Sequence, residues 1–246
     1  MQEIAIAIQI RDSSTRLPGK GTMKLLDEPI YKLMIKNVGR CVSFINKHSD
    51  KKKMLALIYI LVPYHEYDFW ENLVKKIPDY HISVIPGNPD DDSDVFYRYE
   101  KMFNIHKPNY IVRLTGDCPF IPSALINKAV NCAVHHGLDY ISNVDPRYRT
   151  MPDGFDVECI SDEAFLWLSQ NVDLGTKEDR EHVTTYLRKI SPSWMRLATI
   201  TGSFDQSDLK YSIDTKEDFD NLEKRFNFKI QKELLARKNG LYVYDY

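Results

Sequence analysis

The sequence lacks the features of disulfide-rich, exported and membrane-spanning proteins. Its four cysteines lie far apart and form no C-x-x-C pair (Cys41, Cys118, Cys132 and Cys159). We interpret them as small buried side chains rather than as zinc ligands or disulfides. No apolar run approaches the roughly 18 residues of a membrane span, and the first residues do not resemble an export signal. We therefore expect a cytoplasmic protein that does not contact a membrane.

The sequence also lacks an excess of either charge. Lys and Arg number 33 and Asp and Glu 35, so the formal net charge is −2. A general nucleic-acid binder needs a basic surface to displace counterions from phosphates, so we expect no nucleic-acid partner. Apolar residues form 43% of the 246, which is enough for one large buried core. Any anionic ligand must therefore be held by a local cluster of cations.

Apolar runs and helical patterns alternate along the first half of the chain. Runs rich in β-branched residues predict strands at 4–10, 54–62, 82–85 and 110–114. A 3.6-residue period predicts helices at 30–41, 65–77, 92–106 and 121–136. This alternation predicts an α/β fold with a mostly parallel, doubly wound sheet. Ligands in such sheets bind outside the carboxyl ends of the strands.

The second half is less regular. Short apolar runs predict strands at 140–142, 156–160, 196–200 and 209–213. Helical patterns occupy 161–171, 178–189, 215–226 and 228–238. No repeat or linker divides the chain, so we expect a single domain over 1–246 with a small inserted sub-lobe at roughly 140–200.

The loop after the first predicted strand carries the clearest chemical signal. It places Arg11, Arg16 and Lys20 within ten positions and includes Pro18 and Gly19. Glycine lets the backbone approach a ligand closely, and backbone N–H groups together with Arg and Lys side chains suit a triphosphate. The loop is not a Walker A motif, because G-x-x-x-x-G-K-[ST] is absent. An ordinary basic surface loop is the alternative.

Five motifs in order resemble the acidic-sugar cytidylyltransferases, especially the spore-coat polysaccharide (SpsF-type) branch. The string R-D-S-S-T-R-L-P-G-K occupies 11–20 and R-L-T-G-D-C-P occupies 113–119. They are followed by S-N at 142–143 with P-D-G-F-D-V-E at 152–158, then D-R-E-H-V-T at 179–184 and S-I-D-T-K-E-D at 212–218. The resemblance covers roughly residues 4–220.

The resemblance implies a Rossmann-like fold of the nucleotide-diphospho-sugar transferase type and transfer of CMP from CTP to a 2-keto-3-deoxy acid sugar. It implies nucleotide-binding roles for Arg11, Ser13, Ser14, Arg16, Lys20, Arg113, Thr115 and Gly116. Arg11, Lys20 and Asp117 would be catalytic, and Asp117 and Asp214 would hold Mg²⁺. The acceptor would be bound by Asn143, Asp153, Asp156, Glu158, Arg180 and His182.

Several of these residues also have a structural interpretation. Asp117 and Asp214 could each cap the helix that follows, and His182 could be a surface histidine. Asp90–Asp92 satisfies the D-x-D pattern of metal-dependent glycosyltransferases, but before a helical pattern it favours helix capping. Arg98 could reach the nucleotide or form a salt bridge on a helix face.

The sequence departs from the family pattern at two places. Ser13 replaces a usual glycine, and Val62–His65 stands where the family shows T-[SD], close to the expected base pocket.

We interpret the charge run Lys51–Lys53 as a solvated turn. The aromatic tail Leu241–Tyr246 could support a homodimer or cover the core.

Two other functions remain open from the sequence. One is a metal-dependent glycosyltransferase that uses a sugar nucleotide, although such an enzyme does not need a cation-rich loop for a free triphosphate. The other is a cytidylyltransferase that acts on a smaller, non-sugar acceptor. A nucleotide-binding protein without catalysis could lose Asp117 or Asp214, and both are present.

Overall fold

The computed structural model describes residues 1–48 and 54–238, with side chains described as far as residue 227. The charge run Lys51–Lys53 and the tail Leu241–Tyr246 lie outside these residues, so the interpretations given for both stay predictions. Among the described helices, none is long and apolar enough to cross a membrane.

Nine strands and eight α-helices are described. The strands are β1 Gln2–Gln9, β2 Lys24–Leu25, β3 Glu28–Pro29, β4 Met54–Val62, β5 Ile82–Pro86, β6 Tyr110–Thr115, β7 Tyr140–Ser142, β8 Glu158–Ser161 and β9 Leu197–Thr199. The helices are α1 Ile30–Lys47, α2 Tyr67–Val74, α3 Val95–His106, α4 Ser123–His136, α5 Asp162–Asn171, α6 Lys177–Glu181, α7 Thr185–Ile190 and α8 Lys216–Lys238. Two 3₁₀ turns lie at Tyr64–Glu66 and Val172–Leu174.

Seven strands form one sheet in the order β5-β4-β1-β6-β8-β7-β9. All neighbouring pairs are parallel except β6–β8 and β7–β8, so β8 alone runs against the others. The prediction of a mostly parallel, doubly wound sheet is confirmed. The chain moves outward from β1 to β4 and β5 and then returns to β6 on the other side, which makes the β1–β6 boundary the switch point where ligands bind.

The central strand explains how the sheet is covered on both faces. Ile4, Ile6 and Ile8 of β1 pack into one buried cluster, and the alternate residues Ala5 and Ala7 pack into the other. Side chains of a strand alternate between faces, so one face carries bulky residues and the other small ones. The first cluster contains side chains of α1, α2 and α4, and the second contains side chains of α3, α5 and α7. The result is a three-layer α/β/α domain.

The second half differs from the sequence expectation in three ways. The helix predicted at 178–189 is divided into α6 and α7, because Val183 adopts a left-handed backbone with φ 61°. The strand predicted at 209–213 is reduced to a single bridge between Asp153 and Lys210. The helices predicted at 215–226 and 228–238 are one helix, α8. The strands of the expected sub-lobe also extend the main sheet, and the sub-lobe boundary itself stays a prediction.

The cysteines behave as small core residues. Cys41, Cys118 and Cys159 are buried, Cys132 is partly buried, and none of the four forms a disulfide. Burial raises the pKa of the Cys41 thiol to about 12, so this thiol stays protonated at neutral pH.

Candidate active site

A cleft of ≈ 260 Å³ opens at the carboxyl ends of β1 and β6. Five permanently charged cations and three carboxylates line it: Arg11, Arg16, Lys20, Arg98, Arg113, Asp117, Glu181 and Asp214. The remaining lining residues are Gln9, Ile10, Ser14, Gly21, Ser93, Val95, Thr115, Gly116 and His182. The cleft lies at the switch point of the sheet, and its excess of cations suits a polyanionic ligand.

The two loops that form the floor of the cleft approach each other closely. The Gly116 amide donates to the carbonyl of Gln9 at 2.8 Å. A Cβ atom on Gly116 would lie 2.6 Å from Cγ1 of Ile10, closer than carbon atoms approach without a shift of the structure. A glycine is therefore required where the β6 loop passes the β1 loop.

A buried carboxylate anchors the cation-rich loop from behind. Glu66 is 7% exposed and accepts hydrogen bonds from the amides of Asp12 and Ser13, both at 2.8 Å, and from the Trp70 indole at 2.8 Å. Burial raises the pKa of Glu66, but these hydrogen bonds outweigh burial and the net pKa is lowered. The loop then turns at Gly19, whose φ of 73° favours glycine.

No motif in the sequence marks Glu66, although it lies just after the unusual segment Val62–His65. That segment does not line the cleft. The segment continues into the 3₁₀ turn Tyr64–Glu66, which places the Glu66 carboxylate against the cation-rich loop. The Ser13 amide donates to Glu66, and Ser13 does not line the cleft, whereas Ser14 does. The nucleotide-binding role of Ser13 stays a prediction.

Arg98 is the least expected cation of the cleft. It is 2% exposed, donates to the backbone carbonyl of Asp92 at 2.9 Å, and its Nε–H has no partner among the described residues. Burial lowers the pKa of Arg98, and no described carboxylate lies within 4 Å of its guanidinium. Asp92 and Glu66 act on Arg98 only from beyond contact distance, and a buried cation that no carboxylate contacts is costly unless a ligand supplies a counter-charge. The helix-face salt bridge considered for Arg98 is therefore wrong.

Asp117 and Asp214 converge from 97 positions apart in the sequence. The Ile213 amide donates to the Asp117 carbonyl at 2.9 Å, which brings the two segments together. The Lys20 ammonium lies 3.1 Å from Asp117 Oδ2 and 3.8 Å from Asp214 Oδ1. Burial raises the pKa of Asp117, but the charge of Lys20 together with hydrogen bonds from Thr115 and Lys20 outweighs burial, and the net pKa is lowered. The two carboxylates therefore lie close together with a cation between them, and their role in holding Mg²⁺ stays a prediction.

Neither carboxylate caps a helix. The helix after Asp117 begins at Ser123 with Pro122 at its N-cap. At α8 the Thr215 hydroxyl accepts from the Asp218 amide, and the Asp218 carboxylate accepts from the amides of Thr215 and Asp214. The capping alternative is therefore wrong for both Asp117 and Asp214.

The residues expected to bind Mg²⁺ fit that ion in donor type. Carboxylate oxygens are hard ligands, and their shared contact with the Lys20 ammonium shows that a positive charge is stable at this position. No group of three or more His, Cys, Asp or Glu suited to a metal occurs among residues 1–48 and 54–227. An ion held by Asp117 and Asp214 would therefore need phosphate oxygens and water as its other ligands.

Most residues expected at the acceptor are occupied by other contacts. Asn143 is 1% exposed, donates to the Phe155 carbonyl and accepts from the Val157 amide. Asp153 accepts from the Ser212 hydroxyl at 2.6 Å, and Asp156 pairs with Arg149 at 2.6 Å. None of these three lines the cleft. The Asp153–Ser212 contact holds the loop after β7 against the segment before α8, whereas the contacts of Asn143 and Asp156 stay within that loop. Acceptor binding by these three residues stays a prediction.

Glu158 and Arg180 do not lie as expected. Glu158 is 2% exposed and accepts from Arg113 at 2.5 Å, from the Thr184 hydroxyl at 2.5 Å and from the Tyr140 hydroxyl. The expectation that Glu158 lines the acceptor side is corrected: its oxygens are buried and taken, and it does not line the cleft.

Arg180 forms a fork on Asp94, with both N–H···O distances 3.0 Å, and also contacts Glu100 at 3.1 Å and Asp173 at 2.7 Å. Burial lowers the pKa of Arg180, but the hydrogen bonds and charges of these carboxylates together have the larger, opposite effect, so the net pKa is raised. Its guanidinium is engaged by three carboxylates of this chain and does not line the cleft. The expectation that it receives an acceptor carboxylate is therefore corrected as well.

His182 does line the cleft, beside Glu181, which the sequence analysis did not select. Both side chains are exposed, at the end of α6. Asp90, Asp91 and Asp92 do not line it. Asp94 is the residue that caps α3, through a hydrogen bond from the Tyr97 amide, so the capping role expected for 90–92 belongs to Asp94.

Comparison with known proteins agrees with this geometry. Residues 5–243 match the family described as cytidylyltransferase. The chain is 26% identical over 231 residues to the spore coat polysaccharide biosynthesis protein SpsF of Bacillus subtilis (strain 168), covering 90% of this chain and 85% of that protein.

Two solved structures share the fold. One is a cytidylyltransferase from Leptospira borgpetersenii serovar Hardjo-bovis (strain JB197), with a TM-score of 0.73, 24% identity and 100% of each chain covered. The other is CMP:2-keto-3-deoxy-manno-octonic acid synthetase complexed with CTP, with a TM-score of 0.63, 12% identity, and 92% of this chain and 99% of that chain covered. The chain therefore belongs to the cytidylyltransferase family, its resemblance to the SpsF-type branch is confirmed, and it is a CTP-dependent nucleotidyltransferase.

Proposed function

We propose that this protein transfers CMP from CTP to an acidic sugar of the 2-keto-3-deoxy type in surface polysaccharide or glycan synthesis, with release of pyrophosphate. The observation that carries the proposal is the cleft at the switch point, where a cation-rich loop faces a pair of convergent carboxylates. A free triphosphate needs the cations, and a divalent ion on its phosphates needs the carboxylates.

The cations of the cleft divide into two groups by their partners. Arg16 contacts the Asp214 carboxylate, and Lys20 contacts the Asp117 carboxylate. Each of these cations would therefore lie between a carboxylate of the protein and a phosphate group of a bound triphosphate. Arg11 and Arg98 have no carboxylate within 4 Å in the described chain. We assign Arg11, Arg16 and Lys20 to the triphosphate, and the buried Arg98 to a polar edge of the nucleotide.

The reaction is a displacement at the α-phosphorus. The acceptor hydroxyl oxygen bonds to this phosphorus, the bond from the phosphorus to the oxygen that bridges to the β-phosphate breaks, and pyrophosphate leaves. The hydroxyl proton passes to water. Arg11, Arg16 and Lys20 stabilise the negative charge that develops on the leaving group, since preorganised cations act where charge grows.

Asp117 and Asp214 would hold Mg²⁺. When bound, the ion would supply positive charge to the phosphate oxygens. The protein otherwise contributes by positioning the two substrates. The cation-rich loop holds the triphosphate, and the acceptor approaches from the side of the cleft lined by His182 and Glu181. The relatives support this acceptor class, because one is named for spore coat polysaccharide synthesis and another for an eight-carbon 2-keto-3-deoxy acid.

The test is pyrophosphate release in the presence of Mg²⁺, with each of the four nucleoside triphosphates and a panel of acceptors. We expect CTP with a 2-keto-3-deoxy acid sugar to give the fastest release. Equal or faster release with UTP would contradict the choice of base. Release with CTP and a small polyol or phosphorylated acceptor, but with none of the acid sugars, would contradict the acceptor class while leaving the nucleotide chemistry intact.

A further inference from the structure

The turn that presents His182 to the cleft has a disfavoured backbone. Val183 has φ 61° and is 2% exposed, and the Thr184 amide donates back to the His182 carbonyl at 2.7 Å. A β-branched residue rarely adopts positive φ, because its Cβ substituents crowd the backbone. Such a conformation persists only where the surroundings impose it, and it often marks a functional site. We call residues 180–184 the presenting turn.

One side of the presenting turn is attached to the start of α3. The Arg180 fork contacts Asp94 through two N–H···O bonds of 3.0 Å and reaches Glu100 at 3.1 Å. Asp94 lies between Ser93 and Val95, and both of these neighbours line the cleft. A shift of the α3 start on ligand binding would therefore be transmitted to Arg180.

The other side is attached to the buried ends of β6 and β8. The Thr184 hydroxyl donates to Glu158 at 2.5 Å, and the same carboxylate accepts from Arg113 at 2.5 Å. Thr184 is 1% exposed, and Arg113 lines the cleft. The presenting turn is thus held at both ends by partners that lie next to cleft-lining residues: Asp94 stands between Ser93 and Val95, and Glu158 pairs with Arg113.

We propose that Arg180 and Thr184 are positioning residues that hold the strained presenting turn, so that His182 faces the cleft in register with a bound nucleotide. The inference rests on the proposed function, because it takes the His182 side as the acceptor side. Neither residue touches the reacting atoms. They act through His182, and occupancy of the cleft by CTP tightens the turn because both attachments are one residue or one contact away from side chains that line the cleft.

The first test measures amide hydrogen exchange of the presenting turn by mass spectrometry, with and without CTP and Mg²⁺. In the wild type, CTP should slow this exchange at least about fivefold, the lower end of couplings between two sites. Arg180→Gln should abolish the slowing while the Kd for CTP stays within about threefold. Arg180→Lys keeps the charge but loses the fork, so it should fail as well.

A matched control is Arg147→Gln, since Arg147 makes a similar fork on Asp145 outside the cleft. This variant should respond to CTP as the wild type does. A full exchange response in Arg180→Gln would overturn the proposal. A loss of CTP affinity beyond about tenfold in the same variant would also overturn it, because Arg180 would then be part of the nucleotide site.

Thr184 offers a test by conservative replacement. Thr184→Ser keeps the hydroxyl and should keep the exchange response, whereas Thr184→Val keeps the shape and should lose the response. Equal responses in the two variants would show that the hydroxyl has no positioning role. Since wild-type binding of CTP is measured in the same experiment, failure of the nucleotide function would be visible separately from failure of the positioning.

The strain itself is tested without any nucleotide. Val183→Ala and Val183→Gly both remove the buried isopropyl group, but only glycine accepts positive φ freely. We expect the glycine variant to melt about 2–4 °C above the alanine variant, the reverse of the usual order. A glycine variant that melts at or below the alanine variant would show that Val183 is unstrained and would overturn this part of the proposal.

Discussion

The cleft and the neighbouring α6–β8 region treat their charged side chains differently. In the cleft, Arg11 has no carboxylate partner in the described chain, and the buried Arg98 has an unpaired Nε–H. In the α6–β8 region, Arg180 contacts three carboxylates, and Glu158 accepts from Arg113, Tyr140 and Thr184, although the Nε–H of Arg113 is also unpaired. Arg11 and Arg98 therefore lack a counter-charge that a ligand would supply, whereas Arg180 and Glu158 already have oppositely charged partners within this chain.

This difference distinguishes a binding surface from a supporting one. A buried cation without a partner is costly, so its presence indicates an absent counter-charge. A buried carboxylate whose hydrogen bonds and counter-charge come from the chain itself indicates a framework, and removing one partner of such a pair is destabilising. The same residue types, arginine and carboxylate, occur in both regions. Their partners, not their identities, separate the two roles.

The largest effect should follow from opening the supporting framework. Glu158→Gln leaves Arg113 without its buried counter-charge, which we expect to lower the free energy of unfolding by about 3–5 kcal/mol at pH 7. Burial raises the pKa of Glu158, but the charges of Arg113 and Arg188 together with the hydrogen bonds from Thr184 and Tyr140 outweigh burial, and the net pKa is below the usual 4.5. The stability that this carboxylate contributes is thus present above pH 4.5 and lost as pH falls through the folded pKa.

The measurement is the thermal midpoint from pH 7 down to pH 3 for the wild type and Glu158→Gln. The wild type should lose stability more steeply below pH 4.5, so the two curves should converge. Parallel curves would contradict the role given to Glu158. An unchanged midpoint together with lost turnover would place Glu158 at the acceptor after all.

The next largest effect should come from the convergent carboxylates. Asp117→Asn keeps the shape of the side chain and removes the charge that would hold Mg²⁺. Turnover should fall about 10²–10³-fold, the range seen when one preorganised electrostatic group is removed. The thermal midpoint should fall less than in Glu158→Gln, because the Asp117 side chain is 26% exposed and that of Glu158 is 2% exposed, and the Mg²⁺ concentration needed for half-maximal rate should rise.

Asp205→Asn is the matched control, because Asp205 is exposed and accepts only from the nearby Ser207 among the described contacts. That variant should keep wild-type turnover and Mg²⁺ dependence. Wild-type turnover in Asp117→Asn would remove this residue from the chemistry.

A smaller effect is expected at the cation-rich loop. Lys20→Ala and Arg11→Ala each remove one charge-assisted contact with phosphate, worth about 1.5–3 kcal/mol. The kcat/KM for CTP should fall more than about tenfold in each variant, with the fold retained. Arg40→Ala, an exposed arginine on α1 outside the cleft, is the control. Unchanged CTP kinetics in both loop variants would show that the loop lies outside the active site.

The smallest effect should be that of Asp214→Asn. Asp214 contacts Arg16 at 2.9 Å, Lys210 at 3.4 Å and Lys20 at 3.8 Å, so its charge is shared among three cations. We expect a loss of turnover of about tenfold, with an unchanged thermal midpoint, since Thr215 and Asp218 provide the cap of α8. Full turnover would leave Asp117 as the single metal-directed carboxylate.

The sequence predicted the first half of the chain well because its signals are local. Strand β4 was predicted at 54–62 and is found at Met54–Val62, and the cleft opens at the carboxyl ends of β1 and β6, the edge where ligands of such sheets bind. A buried parallel strand is a continuous apolar run, and the topology of such a sheet fixes where its loops meet.

The second half was predicted less well because its features depend on contacts distant in sequence. The break between α6 and α7 depends on Val183, which no propensity places at positive φ. The engagement of Arg180 depends on Asp94, 86 positions away, and the anchor Glu66 is 54 positions from Asp12. A motif can indicate that such residues matter, but it does not show whether their partner is a ligand or the chain itself.

The most direct measurement is a crystal structure of the protein grown with CTP and Mn²⁺, the ion being located by its anomalous scattering. We predict the triphosphate against Arg11, Arg16 and Lys20, with the anomalous signal at the Asp117 and Asp214 carboxylates. Well-defined CTP outside the β1–β6 cleft, or an ion bound away from both carboxylates, would contradict the assignment of this cleft as the site of nucleotidyl transfer.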